Sequence, residues 1–294
     1  MHIYELAAAF GGGVFGAAVG PRPAFILASF LAIAAGILSF GGVDPSTSAS
    51  VVAFGSFLGP HIAYAGGVAA VAFAKRKGAI ENGADVGTPM HLLRDPSVML
   101  VGGLFGVVGC VLEWFFTAIC RLDGSLYARM ETDVIAVSVI TSALLVRFLI
   151  GKSGLFGCYR GEAPRQWVPK GRELTYLLVL GAGLGVMVSG VGLYLRTLGV
   201  STEYYATLAF GIAGIGLIFE QTGSAYPPCH HITILAATAA LCSGSLVAGT
   251  VFGAIAAVLF DVNLRTFNSY ADSSIDPPGV TIIFLTFLIH LIWG

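Results

Sequence analysis

The sequence predicts an all-α polytopic membrane protein, with about ten transmembrane segments arranged as two five-segment inverted repeats. Three observations support this fold class: a composition poor in charge, apolar segments along the whole chain, and motifs that recur in both halves. Of 294 residues, 56% are hydrophobic and 11% are charged, whereas soluble domains carry about 25% charged residues. The charged residues are too few to cover the surface of a soluble domain. We therefore expect a membrane protein.

The apolar segments define the predicted spans. They lie at about 5–20, 23–41, 50–74, 97–119 and 133–151, and then at about 173–195, 204–222, 228–244, 246–262 and 278–293. Residues 1–151 and 173–294 therefore form an N-terminal and a C-terminal repeat, joined by a polar cytoplasmic linker at 152–172. Several segments are shorter than the roughly 17–25 residues of a full span. We expect the third segment of each half to be broken or re-entrant.

Basic residues indicate how the predicted spans are oriented. If all ten segments cross, eleven basic residues fall on one side, whereas only Arg121, Arg129 and Arg196 fall on the other. Cytoplasmic loops are enriched in Lys and Arg, so loop 75–96 and the linker are expected in the cytoplasm. Both termini are then expected on the non-cytoplasmic side of a cell membrane, such as a plasma membrane or a bacterial inner membrane.

Four groups of residues recur in the two halves in the same order. Gly55–His61 and Gly223–His230 share the pattern G-S-x-x-x-P followed closely by His, and Gly102–Gly106 and Gly249–Gly253 share G-x-x-F-G. The other matches are Gly11, Gly13 and Gly20 with Gly181, Gly183 and Gly190, and Asp133, Arg147 and Gly151 with Asp276, His290 and Gly294. An odd number of spans per half makes the second copy enter from the opposite side, which defines an inverted repeat.

The two Pro-His segments are the main candidate for a functional site. The prolines that would break or begin helices there are Pro60, Pro227 and Pro228. Breaks related by inverted symmetry tend to meet near the middle of the membrane, where irregular backbone must be buried or face water. His61, His230 and His231 are therefore expected to line a central pathway. The alternative is that both segments are ordinary turns at the membrane surface.

Acidic residues inside apolar segments are further candidates, because a charge buried in a membrane is costly. Glu113, Glu220 and Asp261 could contact the substrate, a coupling proton or a cation. Alternatively, Glu220 and Asp261 lie at segment ends in water, and Glu113 pairs with a basic residue such as Arg147. A structural role, as helix N-caps, is expected for Asp133 and Asp276.

A metal site is a weaker hypothesis at Cys229 and His230. The Cys-His-His sequence matches none of the usual zinc spacings, although an irregular segment could bring these side chains together. The chain contains no G-x-S-x-G or H-E-x-x-H motif, so we expect neither an enzyme nor a cofactor. An intramembrane metal-dependent enzyme remains one alternative.

These features favour an integral membrane channel or secondary transporter for a small polar solute or ion, with a central site between the Pro-His segments. No ATP-binding signature is present, so any coupling would be to an ion gradient. The second alternative is a membrane subunit that docks a partner through loop 75–96, which has no counterpart in the other half. The expected partners are the lipid bilayer and the solute, without nucleic acid, and Gly-rich channels are often homo-oligomers.

Overall fold

The computed structural model describes residues 2–120 and 132–294, and every regular element within these ranges is a helix. The α-helices are α1 (Ile3–Val19), α2 (Pro21–Phe40), α3 (Ala49–Phe54), α4 (Ala65–Arg76), α5 (Pro96–Cys120), α6 (Val134–Leu149), α7 (Arg172–Thr197), α8 (Tyr205–Ile215), α9 (Leu217–Gln221), α10 (His230–Ser243), α11 (Leu246–Phe267) and α12 (Pro277–Trp293). Each predicted apolar segment coincides with one or two of these helices. Two of the basic residues used for orientation, Arg121 and Arg129, lie outside the described residues.

Four helices, α2, α5, α7 and α11, are long and apolar enough to cross a membrane. Five further apolar helical segments span 10–17 residues each: Ile3–Val19, Val134–Leu149, Tyr205–Gln221, His230–Ser243 and Pro277–Trp293. Large apolar side chains lie on the molecular surface, such as Val179 on α7, 68% exposed, and Val247 on α11, 70% exposed. An apolar surface of this kind is compatible with contact with lipid, and therefore with a membrane protein.

Glycines allow two pairs of helices to pack with their backbones in contact. Between α1 and α5, a Cβ added to Gly13 would lie 2.2 Å from the carbonyl oxygen of Gly102. Between α7 and α11, a Cβ added to Gly253 would lie 2.5 Å from the carbonyl oxygen of Gly181. Only glycine permits approaches this close, which explains the abundance of glycine in these helices. Helix α4 packs against α1 and α5, and α10 packs against α7 and α11.

Helices α4 and α10 are the buried helices, and each follows a break in the chain. Helix α3 ends at Phe54, and helical structure resumes with a π-helical turn at Pro60–Tyr64 that continues into α4. Helix α10 begins at His230, after the irregular residues 222–229. The first turns are buried in both cases, with Ile62 0% and Ile232 1% exposed. Pro60 therefore begins a helical segment, and Pro227 and Pro228 precede one.

Helices α6 and α12 pack against each other, and each begins at an aspartate. The Asp133 side chain accepts a hydrogen bond from the backbone N–H of Ala136, and Asp276 accepts one from Gly279, both at 2.8 Å. Pro277 occupies the first position of α12, where its missing N–H costs nothing. Both predicted N-caps are thus confirmed.

Arg147, near the end of α6, is 1% exposed. Its five hydrogen bonds go to the Ser273 hydroxyl and to the backbone carbonyls of Gly154, Leu155, Phe267 and Ser273. These acceptors belong to the linker, to the last residue of α11 and to the segment between α11 and α12. The side chain therefore joins the end of the first half to the second half, and it does not pair with Glu113.

Candidate functional site

Two adjacent cavities, of about 540 and 210 Å³, lie between the halves of the chain. The residues that line both cavities are Phe25, Pro60, His230, Asp276 and Pro278. The larger cavity is also lined by Ala84 and Val86 of loop 75–96, and the smaller one by Asp133 and Thr207 at the starts of α6 and α8. The shared residues therefore form a common wall where α2 meets the starts of three helical segments.

Some of the residues predicted from sequence line the larger cavity: Pro60, Glu220, Pro228 and His230. Both Pro-His segments thus contribute to one cavity. The exposed Pro227 belongs to the irregular segment before α10 and is not part of the lining. The other predicted residues, His61, His231, Glu113 and Asp261, also lie outside the lining of both cavities.

His61 and His231 are buried within helix contacts. The carbonyl oxygen of His61 lies against α5, where a Cβ on Gly109 would be 1.6 Å away. The ring of His231 stacks on Phe260, with 4.6 Å between centroids and 18° between planes. Because Phe260 itself lines the larger cavity, His231 is separated from that space by one ring.

Glu113 and Asp261 have partners on their own helices. Glu113 is partly buried on α5 and accepts a hydrogen bond from the Thr117 hydroxyl at 3.0 Å. Asp261 on α11 forms an ion pair with Arg265, with 2.5 Å between Oδ2 and Nε. These contacts explain how Glu113 and Asp261 are stabilised, and neither residue needs a role in the cavity.

Glu220 forms an ion pair with Arg22 at the wall of the larger cavity. The distance between Glu220 Oε1 and Arg22 Nη1 is 2.9 Å, and the side chains are 34% and 23% exposed. A partly exposed pair of this kind contributes about 0–1 kcal/mol to stability. Its main effect on the cavity is that the two charges compensate each other. Sequence reasoning treated Arg22 only as a loop charge and missed its place in the lining.

Asp276 and Tyr64 connect the two halves across the cavity wall. The Tyr64 hydroxyl donates a hydrogen bond to Asp276 Oδ1 at 2.9 Å, while Oδ2 caps α12. In the described part of the chain, Asp276 forms no ion pair with a basic side chain. The sequence indicated that Asp276 is an N-cap but did not indicate that it lines a cavity. The available signal was the match of Asp276 with Asp133 in the repeat.

His230 lies between aromatic rings at the common wall. Its ring centroid is 4.8 Å from that of Phe25 and 5.4 Å from that of Phe210, which meets it edge-on. The side chain is 6% exposed, and its Nδ1 atom is buried without a hydrogen-bond partner among the described residues. A buried nitrogen without a partner costs free energy.

Loop 75–96 packs against the rest of the chain and covers part of the larger cavity. The carbonyl oxygen of Val86 accepts a hydrogen bond from the backbone N–H of Arg22 at 2.8 Å, and Met90 is 1% exposed. The hydrogen bond from the Lys77 ammonium holds the pKa of the Asp95 carboxyl at about 2, below its ordinary value. This ion pair closes the loop at its base, and the loop is a wall of the cavity.

The surroundings of Cys229 and His230 do not support the hypothesis of a metal site there. The Cys229 sulfur lies 3.4 Å from the hydroxyl of Tyr226. Among residues 2–120 and 132–294, no three side chains of His, Cys, Asp or Glu are placed so that they could hold a metal ion together.

One sequence family matches most of the chain. It is described as "Family of unknown function (DUF7973)", and it matches residues 1–163 and 158–293. The chain belongs to this family. No curated protein and no solved structure matches the chain. The description of DUF7973 states no activity, so the function has to be inferred from the cavities.

Proposed function

We propose that this member of DUF7973 is an integral membrane channel or secondary transporter for a small polar solute or ion. The observation that carries the proposal is the pair of adjacent cavities with a common wall made by both Pro-His segments. Polar and titratable groups inside a membrane mark solute pathways, since burying them without a function is costly. Asp276 and His230 are such groups, and both face the two cavities.

The helix packing supports an inverted repeat behind this pathway. Helix α1 packs on α5 as α7 packs on α11, and α6 and α12, which correspond in the repeat, pack on each other. Gly106 lies against Gly13, and Gly253 lies against Gly185. This contact pairs Gly13 with Gly185, two positions from the Gly183 of the sequence match, where an added Cβ would have no neighbouring atom within 4 Å. The related environments of the matched Gly106 and Gly253 favour two copies of one unit.

Flux measurements with two adjacent histidines test the proposal. His230 lines both cavities, whereas His231 is buried against Phe260 outside them. His230→Phe and His231→Phe both keep a ring of similar size and remove its nitrogens. We expect His230→Phe to lower solute flux about tenfold or more, because the wall loses its polar group. His231→Phe should leave the flux within about twofold of the wild type.

The purified full chain would be reconstituted in liposomes, and the flux of urea, glycerol, methylammonium chloride and sodium acetate would be followed by light scattering after an osmotic step. Flux of all four solutes at the rate of protein-free liposomes would contradict the proposal. So would equal losses in the two variants, because the common wall would then have no special role. Neither the metal-dependent enzyme nor the partner-docking subunit has an observation in the described residues that favours it.

A further inference from the structure

The larger cavity contains one acidic side chain that no basic side chain compensates. Arg22 carries one positive charge, and Glu220 and Asp276 carry one negative charge each, so one negative charge is in excess with His230 neutral. Because Arg22 and Glu220 pair with each other, the excess charge resides at Asp276. Its oxygens accept hydrogen bonds from Tyr64 and Gly279, and carboxylate oxygens have lone pairs for further donors.

The size and the walls of the cavity indicate what kind of cation fits. A volume of about 540 Å³ lies within the range typical of small organic ligands, roughly 300–1,000 Å³. Phe25, Tyr64 and Phe260 supply aromatic rings, whose faces attract ammonium groups. A bare metal ion would instead need several ligands close together, and among the described residues no three side chains of His, Cys, Asp or Glu are placed to hold one.

The start of α10 acts in the opposite direction, because a helix N-terminus favours a negative group. The N-cap residue Cys229 makes no side-chain cap, so the first N–H groups of α10 keep their partial charge. That partial charge amounts to about half an elementary charge and is spread over several N–H groups, as is that of α12, which Asp276 caps. The full charge of the ionised Asp276 carboxylate is carried by two oxygens, so we expect a ligand group that contacts these oxygens to be positive.

We propose that the larger cavity binds a small organic ammonium ion, with its charge at Asp276 and its alkyl part against the aromatic rings. The inference rests on the proposed function, because it specifies the class of solute that the pathway would carry.

Thermal unfolding of the detergent-purified full chain tests the inference, with methylammonium chloride as the probe and sodium chloride at equal ionic strength as the reference. The key variant is Asp276→Asn, because asparagine is as good an N-cap as aspartate and removes the charge, while its amide N–H can donate to the Tyr64 hydroxyl oxygen in place of the hydrogen bond that the carboxylate accepts. The matched control is Asp133→Asn, the same change at the start of α6, which does not line the larger cavity. We expect saturating methylammonium to raise the Tm of the wild type and of Asp133→Asn by about 3 °C or more, and to leave Asp276→Asn unshifted.

Equal Tm values of the wild type in the two salts would overturn the inference, as would a full shift in Asp276→Asn. If Asp276→Asn fails to fold, the comparison of the wild-type Tm in the two salts still tests the inference.

The experiments distinguish failure of this inference from failure of the proposed function. If urea or glycerol crosses liposomes at a rate that depends on His230 while methylammonium has no effect on Tm, the pathway stands and the ammonium ligand is wrong. If methylammonium binds but no solute crosses, the site stands and the pathway is wrong.

Discussion

Two polar side chains, Asp276 and Arg147, join segments that are far apart in the sequence. The hydrogen bond from Tyr64 to Asp276 spans 212 positions, and the contact of Arg147 with Ser273 spans 126. A buried polar group with all its partners present fixes one arrangement of its neighbours, whereas the loss of one partner leaves the others unsatisfied. Both residues therefore hold the two halves in register at the segment that precedes α12.

Arg147→Met should destabilise the protein strongly, because it leaves buried carbonyl groups and one hydroxyl without their donor. Loss of one partner from a buried charged network typically costs about 3–5 kcal/mol. Arg147→Lys should recover only part of this, since lysine lacks the planar fork that reaches several acceptors. The measurement is thermal unfolding in detergent, with Arg196→Met as control, because Arg196 is exposed near the end of α7. Equal Tm values for Arg147→Met and Arg196→Met would contradict this role.

For single residues, the sequence predicted the roles that depend on a local rule, such as a helix start. It did not predict the roles that depend on tertiary packing. Proline and N-cap chemistry identified Pro60 and Asp276 as helix starts, and the structure has them there, whereas Pro228 lies in the irregular segment just before α10. Nothing local distinguishes His230 from His231, because neighbouring side chains on a helix differ by about 100° in direction. Which of them faces a cavity depends on helices that lie far away in the chain.

At the scale of helix pairs, the distance between two packed helices depends on glycine. A Cβ on Gly106 would lie 2.2 Å from the carbonyl oxygen of Ala9 on the neighbouring helix, whereas Gly183 has no atom within 4 Å of such a Cβ. Gly106→Ala should force α1 and α5 apart and cost about 1–3 kcal/mol. Gly183→Ala should be neutral or stabilising by about 0.5–1 kcal/mol, because alanine is the better helix former.

Unfolding of the two alanine variants in detergent, followed by circular dichroism, measures this difference directly. The pair is matched, since both changes add one methyl group to a glycine within a long apolar helix. A stability of Gly106→Ala equal to that of Gly183→Ala would mean that the two helices are not in backbone contact at this point.

The apolar segments were predictable as elements because their length and hydropathy are local properties. Their internal breaks were predictable only where proline marks them. The segment at 50–74 divides into α3, the turn at Pro60–Tyr64 and α4, as the proline indicated. The segment at 204–222 also divides, at Gly216, where a Cβ would lie 2.0 Å from the hydroxyl of Tyr226. That contact is tertiary, so the sequence of the segment alone did not predict the second break.

At the scale of the whole molecule, three loops meet at one end. The Asp272 carboxylate accepts a hydrogen bond from the backbone N–H of Lys152 at 2.6 Å, and Cys158 donates its N–H to the Tyr270 carbonyl at 2.8 Å. A Cβ on Gly83, within loop 75–96, would lie 2.0 Å from the carbonyl oxygen of Asp272. Loop 75–96, the linker and the segment between α11 and α12 therefore occupy the same end, which is the side that the basic residues indicate for the cytoplasm.

Two membrane topologies differ in where they place these loops. If all ten segments cross, loop 75–96 and the linker share one side, and the loop between α7 and α8 lies on the other. If only α2, α5, α7 and α11 cross, the linker lies opposite loop 75–96, and the loop between α7 and α8 joins loop 75–96. Contact between loop 75–96, the linker and Asp272 favours ten crossings, because a bilayer cannot separate segments that pack together.

Cysteine labelling in intact cells distinguishes these topologies. Cys158 is exposed in the linker, and Glu81 and Glu203 are exposed in loop 75–96 and in the loop between α7 and α8. Three chains would each carry one cysteine, namely Cys158, Glu81→Cys or Glu203→Cys, with the other native cysteines replaced by serine. We expect a membrane-impermeant maleimide to label only Glu203→Cys in intact cells, and all three after permeabilisation. Labelling that places Cys158 and Glu81→Cys on opposite sides would contradict ten crossings, and with them the proposed inverted repeat.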